Sequence, residues 1–323
     1  MRRAVVIGTG AYLPSRIMTN ADFEKIIETS DEWIQERTGI KQRHIAADGE
    51  KTSDLAIKAA QGAIRSAGVS ADSIDLVIIA TTTPDDTMPS TAAKVQHAIG
   101  MTRGAGFDMN AACSGFVYAM TIANSFIIAG QAKRILVIGA ETYSRILDWK
   151  DRTTCILFGD GAAAVLLDAQ EQKGDNADRG VLFSRMHSDG QYVELLGTSG
   201  GVSATQTAGT LFMAGKEIYR HAVSKMPEAV AEGMEALGLS IDAADWLVPH
   251  QANMRILSAV ASKLKVSESK VITTVKSHAN TSAASIPLAL HQGVMDGRIK
   301  QGQLIACPAL GAGLTWGATI LRW

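Results

Sequence analysis

The chain has 323 residues, 46% of them hydrophobic, and its 31 Lys and Arg against 32 Asp and Glu leave a formal net charge of −1. A length of this order buries a sizeable core, as one large domain or two of roughly 100 to 200 residues, and the even charge leaves no electrostatic footprint for nucleic acid or an anionic membrane surface. No apolar run approaches the roughly 18 residues of a spanning helix, and the N-terminal apolar stretch meets Gly10 and Pro14 too soon for a secretory signal, so a cytoplasmic protein is expected.

In chain order, apolar β-branched runs at residues 4–7, 76–80, 135–138, 164–167, 247–248 and 304–306 predict buried strands. Residues 54–67, 223–237 and 254–264 carry the apolar period of amphipathic helices. That alternation predicts α/β architecture with helices on both sheet faces.

The chain also repeats itself. Ile74-Asp75-Leu76-Val77 resembles Ala244-Asp245-Trp246-Leu247-Val248 at an offset of 170 residues (245 − 75), and each follows a helical segment closed by Gly68 or Gly238. Residues 134–139 resemble 303–307 at an offset of 169 (303 − 134). Between these anchors, residues 107–120 line up with 275–290, each predicted as a strand, a small-residue turn and a helix. A near-constant offset of this size predicts a duplicated half and not a short solenoid repeat. The polar, Gly/Asn/Asp-rich stretch 169–180 reads as a surface connection between halves 1–172 and 173–323.

Three cysteines, Cys113, Cys155 and Cys307, imply no disulfide framework. With no CxxC pair and no HExxH motif, no metal is expected. Cys113 stands in Asp108-Met109-Asn110-Ala111-Ala112-Cys113-Ser114-Gly115-Phe116, between a predicted strand and a predicted helix. A helix N-terminus favours a thiolate and lowers a thiol pKa that is ordinarily about 8.5. Taken alone, a free cysteine reads more often as a small buried hydrophobe than as a nucleophile, so its partners decide. His250 ends a predicted strand in Pro249-His250-Gln251-Ala252-Asn253, and Asn280 lies in Ser277-His278-Ala279-Asn280-Thr281-Ser282-Ala283-Ala284-Ser285, at the turn the repeat matches to Cys113. Alone, His250 reads as structural and Asn280 as a helix cap. Halves related by a pseudo-twofold axis would bring all three turns to one crevice at the strand C-terminal ends. His278 and His291 read as structural. The turn Ala309-Leu310-Gly311-Ala312-Gly313-Leu314-Thr315-Trp316-Gly317 offers backbone N–H groups for an oxyanion. Gly8-Thr9-Gly10 fails as a dinucleotide fingerprint, because Leu13 stands where the third glycine belongs.

Taken together, these motifs resemble the β-ketoacyl-[acyl-carrier-protein] synthase III family of the thiolase superfamily. The resemblance spans essentially the whole chain. It includes Gly8-Thr9-Gly10-Ala11-Tyr12-Leu13-Pro14, Thr29-Ser30-Asp31-Glu32-Trp33-Ile34, Arg37-Thr38-Gly39-Ile40, the Cys113 turn and Phe158-Gly159-Asp160-Gly161-Ala162. Met213-Ala214-Gly215, the His250 and Asn280 segments and the C-terminal glycine turn complete the set. It implies a five-layered αβαβα thiolase fold with two pseudo-twofold-related halves, and a homodimer. It also implies that Cys113 takes an acyl group from acyl-CoA, a substrate and not a cofactor, and that malonyl-acyl-carrier-protein then loses CO₂ and condenses with it, initiating fatty acid synthesis. His250 and Asn280 would donate to the malonyl thioester oxygen, and the N–H groups of Cys113 and Ala312 would form the oxyanion hole of acylation. The coenzyme A tunnel maps onto Thr29, Trp33, Arg37, Arg152, Gly215, Asn253 and Arg255, and the carrier-protein surface onto Arg220, Arg255 and Lys263. Two positions depart from the family's common pattern. Ala312 replaces the middle of three glycines, and Met88 stands where Phe is frequent and where the partner subunit closes the acyl pocket.

Four alternatives share part of this pattern. A papain-like protease has the same Cys, His, Asn order, but the CGSCW-type signature is absent at Cys113. A degradative or biosynthetic thiolase needs a second active cysteine in a Cys-x-Gly setting, whereas Cys307 precedes Pro308-Ala309. A related condensing enzyme of a specialised pathway or a non-catalytic acyl-CoA or carrier-protein binding paralogue would keep the fold, and the retention of Cys113, His250 and Asn280 weighs against a dead site.

Overall fold

In the computed structural model, which describes residues 1–323, the apolar runs pair into two mixed sheets. The first contains β1 (Arg2–Tyr12), β2 (Leu76–Ala80), β3 (Ala105–Met109), β4 (Arg134–Thr142) and β5 (Asp160–Glu171), in the order β1-β5-β4-β2-β3. The second contains β6 (Gly180–Ser188), β7 (Trp246–Leu247), β8 (Leu304–Gly311) and β9 (Thr315–Arg322), in the order β7-β8-β9-β6. Both sheets follow one plan. β2 runs parallel to β4, and β5 and β1 follow antiparallel; β7 runs parallel to β8, and β9 and β6 follow antiparallel. The counterpart of β2 is shortened to the two residues of β7, and that of β3 is reduced to a parallel bridge between Leu247 and Val271.

Five layers result from how these sheets bury their faces. Side chains alternate across a strand, so Leu76, Ile78 and Ala80 pack into the middle of the molecule while Val77 and Ile79 pack outward. Both sets are buried, which is why β2 reads as a continuous apolar run and not as an alternation. Helices α2 (Thr52–Ala67) and α3 (Thr91–Ala98) cover the outer face of the first sheet through Leu55, Ala59 and Val95. Between the sheets lie α4 (Gly115–Ile128) and α7 (Ser285–Met295), with Val117, Met120 and Ile286 in the shared core. Helices α5 (Gly215–Ala236) and α6 (Met254–Leu264) cover the second sheet through Met226, Val230, Leu257 and Val260. A short helix, α1 (Asp31–Thr38), begins with Ser30 Oγ accepting the Trp33 N–H at 3.1 Å and lies beside α6. No helix is long and apolar enough to cross a membrane.

Two local details differ from what periodicity predicts or leaves open. Residues 275–278 form a helical turn and not a strand. The physical reason is Gln251, whose buried side-chain oxygen accepts the N–H groups of Thr274 (2.8 Å) and Val275 (3.3 Å) that a strand would give to its neighbour. Gly8 and Gly10 face α2 so closely that a Cβ on either would meet the backbone of Ala63 or Ala59. They are packing glycines, which accounts for a glycine pair without a nucleotide fingerprint.

Candidate active site

β3 delivers the chain to a sharp elbow. Ala112 adopts φ 46°, in the left-handed region that costs a residue with a Cβ on the order of 1–2 kcal/mol, and a 3-10 turn over Ala112–Ser114 then opens into α4. The C-terminal glycine turn presses on this elbow, and a Cβ on Gly311 would lie 2.8 Å from Ala111 O and Cys113 N. Thr315 Oγ1 lies 3.0 Å from both Ala111 O and Ala312 O, and Ser114 Oγ donates to Thr315 O at 2.9 Å. These bonds hold Ala312 beside Cys113.

A second elbow, 170 residues on, carries Asn280. Ser282 adopts φ 49° and a 3-10 turn over Ser282–Ala284 opens into α7. Asn280 Oδ1 accepts the Ser282 N–H at 2.9 Å, as Asn110 Oδ1 accepts the Ala112 N–H at 3.1 Å. The counterpart of Asn280 is therefore Asn110 and that of Cys113 is Ala283, a shift of three residues from the match expected from sequence. With its oxygen so engaged, Asn280 turns its Nδ2 donor to the remaining space.

His250 follows β7 and is 3% exposed. Its backbone N–H bonds Pro308 O at 2.9 Å, and its Nδ1 lies 2.7 Å from Ser285 Oγ. Burial drives its pKa down to about 3, so the imidazole is neutral at physiological pH. Gln251 anchors the turn, its amide donating to Pro249 O (2.7 Å) and Ile272 O (3.1 Å).

Cys113, His250 and Asn280 line one cavity of about 440 Å³, with Arg37, Gly215, Asn253 and Arg255 farther along the wall. A second cavity, of about 450 Å³, begins on the other side of Cys113 and is walled by Thr82, Ala111, Tyr143, Ile146, Leu211 and Ala312. Cys113, Phe158 and Leu196 line both. The thiol thus stands where a channel meets an apolar pocket. Its proton is held tightly: burial raises the pKa to about 12, Glu141 adds to the rise, and hydrogen bonds from Ser282 and from the Cys113 N–H oppose it. The helix N-terminus read from the sequence predicts a lowered pKa, but desolvation of the enclosed sulfur outweighs that effect. Cys155 and Cys307 line neither cavity, and Cys307 faces the middle core. His278 and His291 also lie outside the cavity wall, with His291 Nδ1 3.0 Å from Thr9 Oγ1.

Of the remaining residues expected to hold coenzyme A, Trp33 carries the Arg37 guanidinium 4.6 Å and the Arg152 guanidinium 5.1 Å from its ring centroid. Because Arg37 lines the cavity, this cluster extends the wall outward. Arg152 also donates to Glu28 O at 2.9 Å. The Thr29 hydroxyl is buried without a partner. Asn253 Oδ1 caps α6 by accepting the Ile256 N–H at 2.9 Å, leaving its amide donors to the cavity, and Gly215 opens α5. Arg220, Arg255 and Lys263 are exposed on the packed pair α5 and α6. Met88 is 84% exposed and lines neither cavity. No three His, Cys, Asp or Glu side chains are grouped to hold a metal ion.

Four residues of the surroundings are not singled out by the sequence. Ser285 and Gln251 orient His250, and the Ser282 hydroxyl lies beside the Cys113 sulfur, its oxygen 3.2 Å from Tyr143 Oη. Glu141 is fully buried and accepts from Thr82 Oγ1 (2.9 Å) and Thr83 Oγ1 (2.7 Å). A carboxylate at the end of an otherwise apolar run, 135–140, is the one legible signal among them.

Residues 107–190 match the family model for 3-oxoacyl-[acyl-carrier-protein (ACP)] synthase III, and residues 234–323 match the model for its C-terminal part. The β-ketoacyl-[acyl-carrier-protein] synthase III of Rhodospirillum centenum is 59% identical over 321 residues, 99% of each chain. The crystal structure of 3-oxoacyl-[acyl-carrier-protein] synthase III from Aquifex aeolicus superposes with a TM-score of 0.94 at 46% identity, covering 99% of this chain and 100% of that one. The enzyme of the same description from Pseudomonas aeruginosa gives 0.93 at 40%, covering 99% and 98%. In fold and in sequence along nearly its whole length, the chain belongs to the 3-oxoacyl-[acyl-carrier-protein] synthase III family.

Proposed function

We propose that this protein is a β-ketoacyl-[acyl-carrier-protein] synthase III, which condenses an acyl-CoA primer with malonyl-acyl-carrier-protein to start fatty acid biosynthesis. The observation that carries the reading is a single cavity in which a buried thiol faces two neutral side chains oriented as donors, His250 and Asn280.

In the first half-reaction the Cys113 sulfur attacks the thioester carbonyl of acyl-CoA. The N–H groups of Cys113 and Ala312 stabilise the oxyanion, the C–S bond to coenzyme A breaks, and the leaving sulfur departs as the free thiol with the proton that Cys113 loses. The acyl chain occupies the apolar pocket beyond Phe158 and Leu196. Pantetheine lies in the channel, with Asn253 and Gly215 along it, and the nucleotide meets Arg37, Arg255, Trp33, Arg152 and Thr29 at the mouth. Carrier protein then delivers a malonyl thioester through the same channel, drawn to Arg220, Arg255 and Lys263. The bond to the malonyl carboxylate breaks, CO₂ leaves, and the electron pair moves onto a thioester enolate. His250 and Asn280 hold its oxygen. The enolate carbon attacks the acyl carbonyl on Cys113, and the sulfur is expelled as the 3-oxoacyl product forms. No metal is needed, because two uncharged donors in a desolvated cavity carry the charge that develops on one oxygen.

The chain acts in the cytoplasm as a homodimer, with halves 1–172 and 173–323. Exposed apolar Met88 and Val193 support the pairing, as Val193 lines the open side of the acyl pocket. The test is mass spectrometry of the purified protein after exposure to acetyl-CoA, branched and medium acyl-CoAs. An acyl adduct on Cys113 that disappears with release of 3-oxoacyl-carrier-protein on adding malonyl-acyl-carrier-protein is the expected result. Absence of the adduct with every primer refutes the assignment, and sedimentation of a Met88→Asp variant as a monomer tests the pairing.

A further inference from the structure

We infer that Ser285 is a positioning residue that fixes the His250 imidazole with its proton on Nε2, so that His250 serves as a donor to the malonyl thioester and not as a base toward Cys113. This rests on the condensing reaction proposed above, but its observation is separate. Ser285 is the first residue of α7 and is 1% exposed. Its hydroxyl oxygen has two neighbours in hydrogen-bond range, the Gln251 N–H at 3.2 Å and His250 Nδ1 at 2.7 Å. The Gln251 N–H can only donate, so one lone pair of the Ser285 oxygen is taken. The Ser285 proton then has a single acceptor within reach, the Nδ1 lone pair.

With the imidazole in its other tautomer, Nδ1–H and the Gln251 N–H would both point at the same oxygen and the hydroxyl proton would be buried without an acceptor. A buried unsatisfied donor is what native interiors avoid. Only one arrangement satisfies all three groups: Gln251 N–H to Ser285 Oγ, Ser285 O–H to Nδ1, and Nε2–H left over. Nε2 takes no partner in the protein, and the ring lines the cavity wall beside Cys113. The chain therefore presents a fixed N–H to the space where a thioester oxygen arrives. It also follows that the thiol proton leaves with coenzyme A and is not collected by His250.

The test uses full-length wild type, Ser285→Ala and Ser285→Thr. Nitrogen-15 NMR of histidine-labelled protein reads the tautomer directly, and two rates are measured separately: acyl transfer from acetyl-CoA to Cys113, and decarboxylation of malonyl-acyl-carrier-protein. The wild-type His250 signal is expected to be that of an Nε2-protonated ring with a hydrogen-bonded Nδ1. Ser285→Ala should lose that signature and slow decarboxylation roughly 10- to 100-fold while acyl transfer changes less than about twofold; Ser285→Thr should restore both. An Nδ1-protonated wild-type ring overturns the inference, even if Ser285→Ala fails to fold. Equal slowing of both half-reactions, or unchanged decarboxylation in a folded Ser285→Ala protein, overturns it as well. If no acyl-Cys113 forms in wild type, the functional reading fails while the tautomer measurement still decides this one.

Discussion

Asn110 and Asn280 stand at the same point of two duplicated elbows, and each fixes its elbow by accepting the N–H two residues on, from Ala112 at 3.1 Å and from Ser282 at 2.9 Å. The bond does two things. It holds the donor residue, Ala112 or Ser282, at positive φ, 46° in one copy and 49° in the other, and it commits the amide oxygen so that only Nδ2 remains to meet a ligand. The copies then divide the labour: the first carries Cys113 three residues on, while the second carries Ala283 there and offers the asparagine itself to the cavity.

The substitution Asn280→Asp separates those two effects. The aspartate side chain would still accept the Ser282 N–H, so the elbow persists, but a carboxylate oxygen replaces the donor. Loss of one oxyanion donor costs on the order of 10²- to 10³-fold. Malonyl-acyl-carrier-protein decarboxylation and overall condensation by Asn280→Asp should fall by that amount, while acyl transfer to Cys113 persists. Stopped-flow or quench measurement of each half-reaction checks it; equal loss in both would place Asn280 in acylation too.

The raised Cys113 pKa sets a pH dependence in the absence of substrate. Below a pKa of about 12 the thiolate fraction grows tenfold per pH unit. Alkylation of Cys113 by iodoacetamide should therefore rise roughly tenfold per unit from pH 7 to 10 with no plateau. A plateau near pH 7 would mean that the start of α4 and the neighbouring N–H groups outweigh burial.

Charge reversal tests the surface of α5 and α6. Arg220→Glu and Lys263→Glu lie away from Cys113, on helices that present them to solvent. Each should raise KM for malonyl-acyl-carrier-protein several-fold at low salt, leave acetyl transfer from acetyl-CoA unchanged, and lose its effect as ionic strength passes about 0.1 M, where screening acts over about 10 Å. An effect on both substrates, or none at low salt, would move the docking surface elsewhere.

The layered fold is largely legible because β2, β4 and β8 are buried on both faces, which forces continuous apolar runs, and because the duplication repeats them at a near-constant spacing. His250 stands out for the same reason, since it follows the run at 247–248, whereas Cys113 stands out only by the small-residue turn after Asp108-Met109-Asn110. What escapes is set by side chains bonding to groups far away in sequence. Gln251 suppresses a strand at Thr274 and Val275, and Ser285 acts on a histidine 35 residues earlier. Neither leaves a periodic mark. Sequence alone also suggests an acidic Cys113, since it shows the helix start but not the depth at which the sulfur is enclosed.

Acid stability should report the buried histidines. His250 and His278 have pKa values lowered from 6.5 to about 3 and about 4, mainly by burial. A group whose folded pKa is depressed stabilises fully above its unfolded value and loses that contribution as pH falls toward the folded one, here from about 6.5 downward. Glu141 works in the opposite sense, its pKa being raised from 4.5 to about 7 by burial, so that it binds a proton in the fold before it does so unfolded. Between pH 6 and 5 the unfolded chain holds nearly two histidine protons that the fold lacks, while the fold holds one on Glu141 that the unfolded chain lacks. Unfolding free energy should then fall by about 1 kcal/mol per unit of acidification from these three groups. Urea titrations at pH 7, 6 and 5 measure it. Glu141→Gln abolishes the opposing proton, so in that variant the slope should steepen to about 2 kcal/mol per unit; an unchanged slope would show that Glu141 stays ionised among its threonine donors.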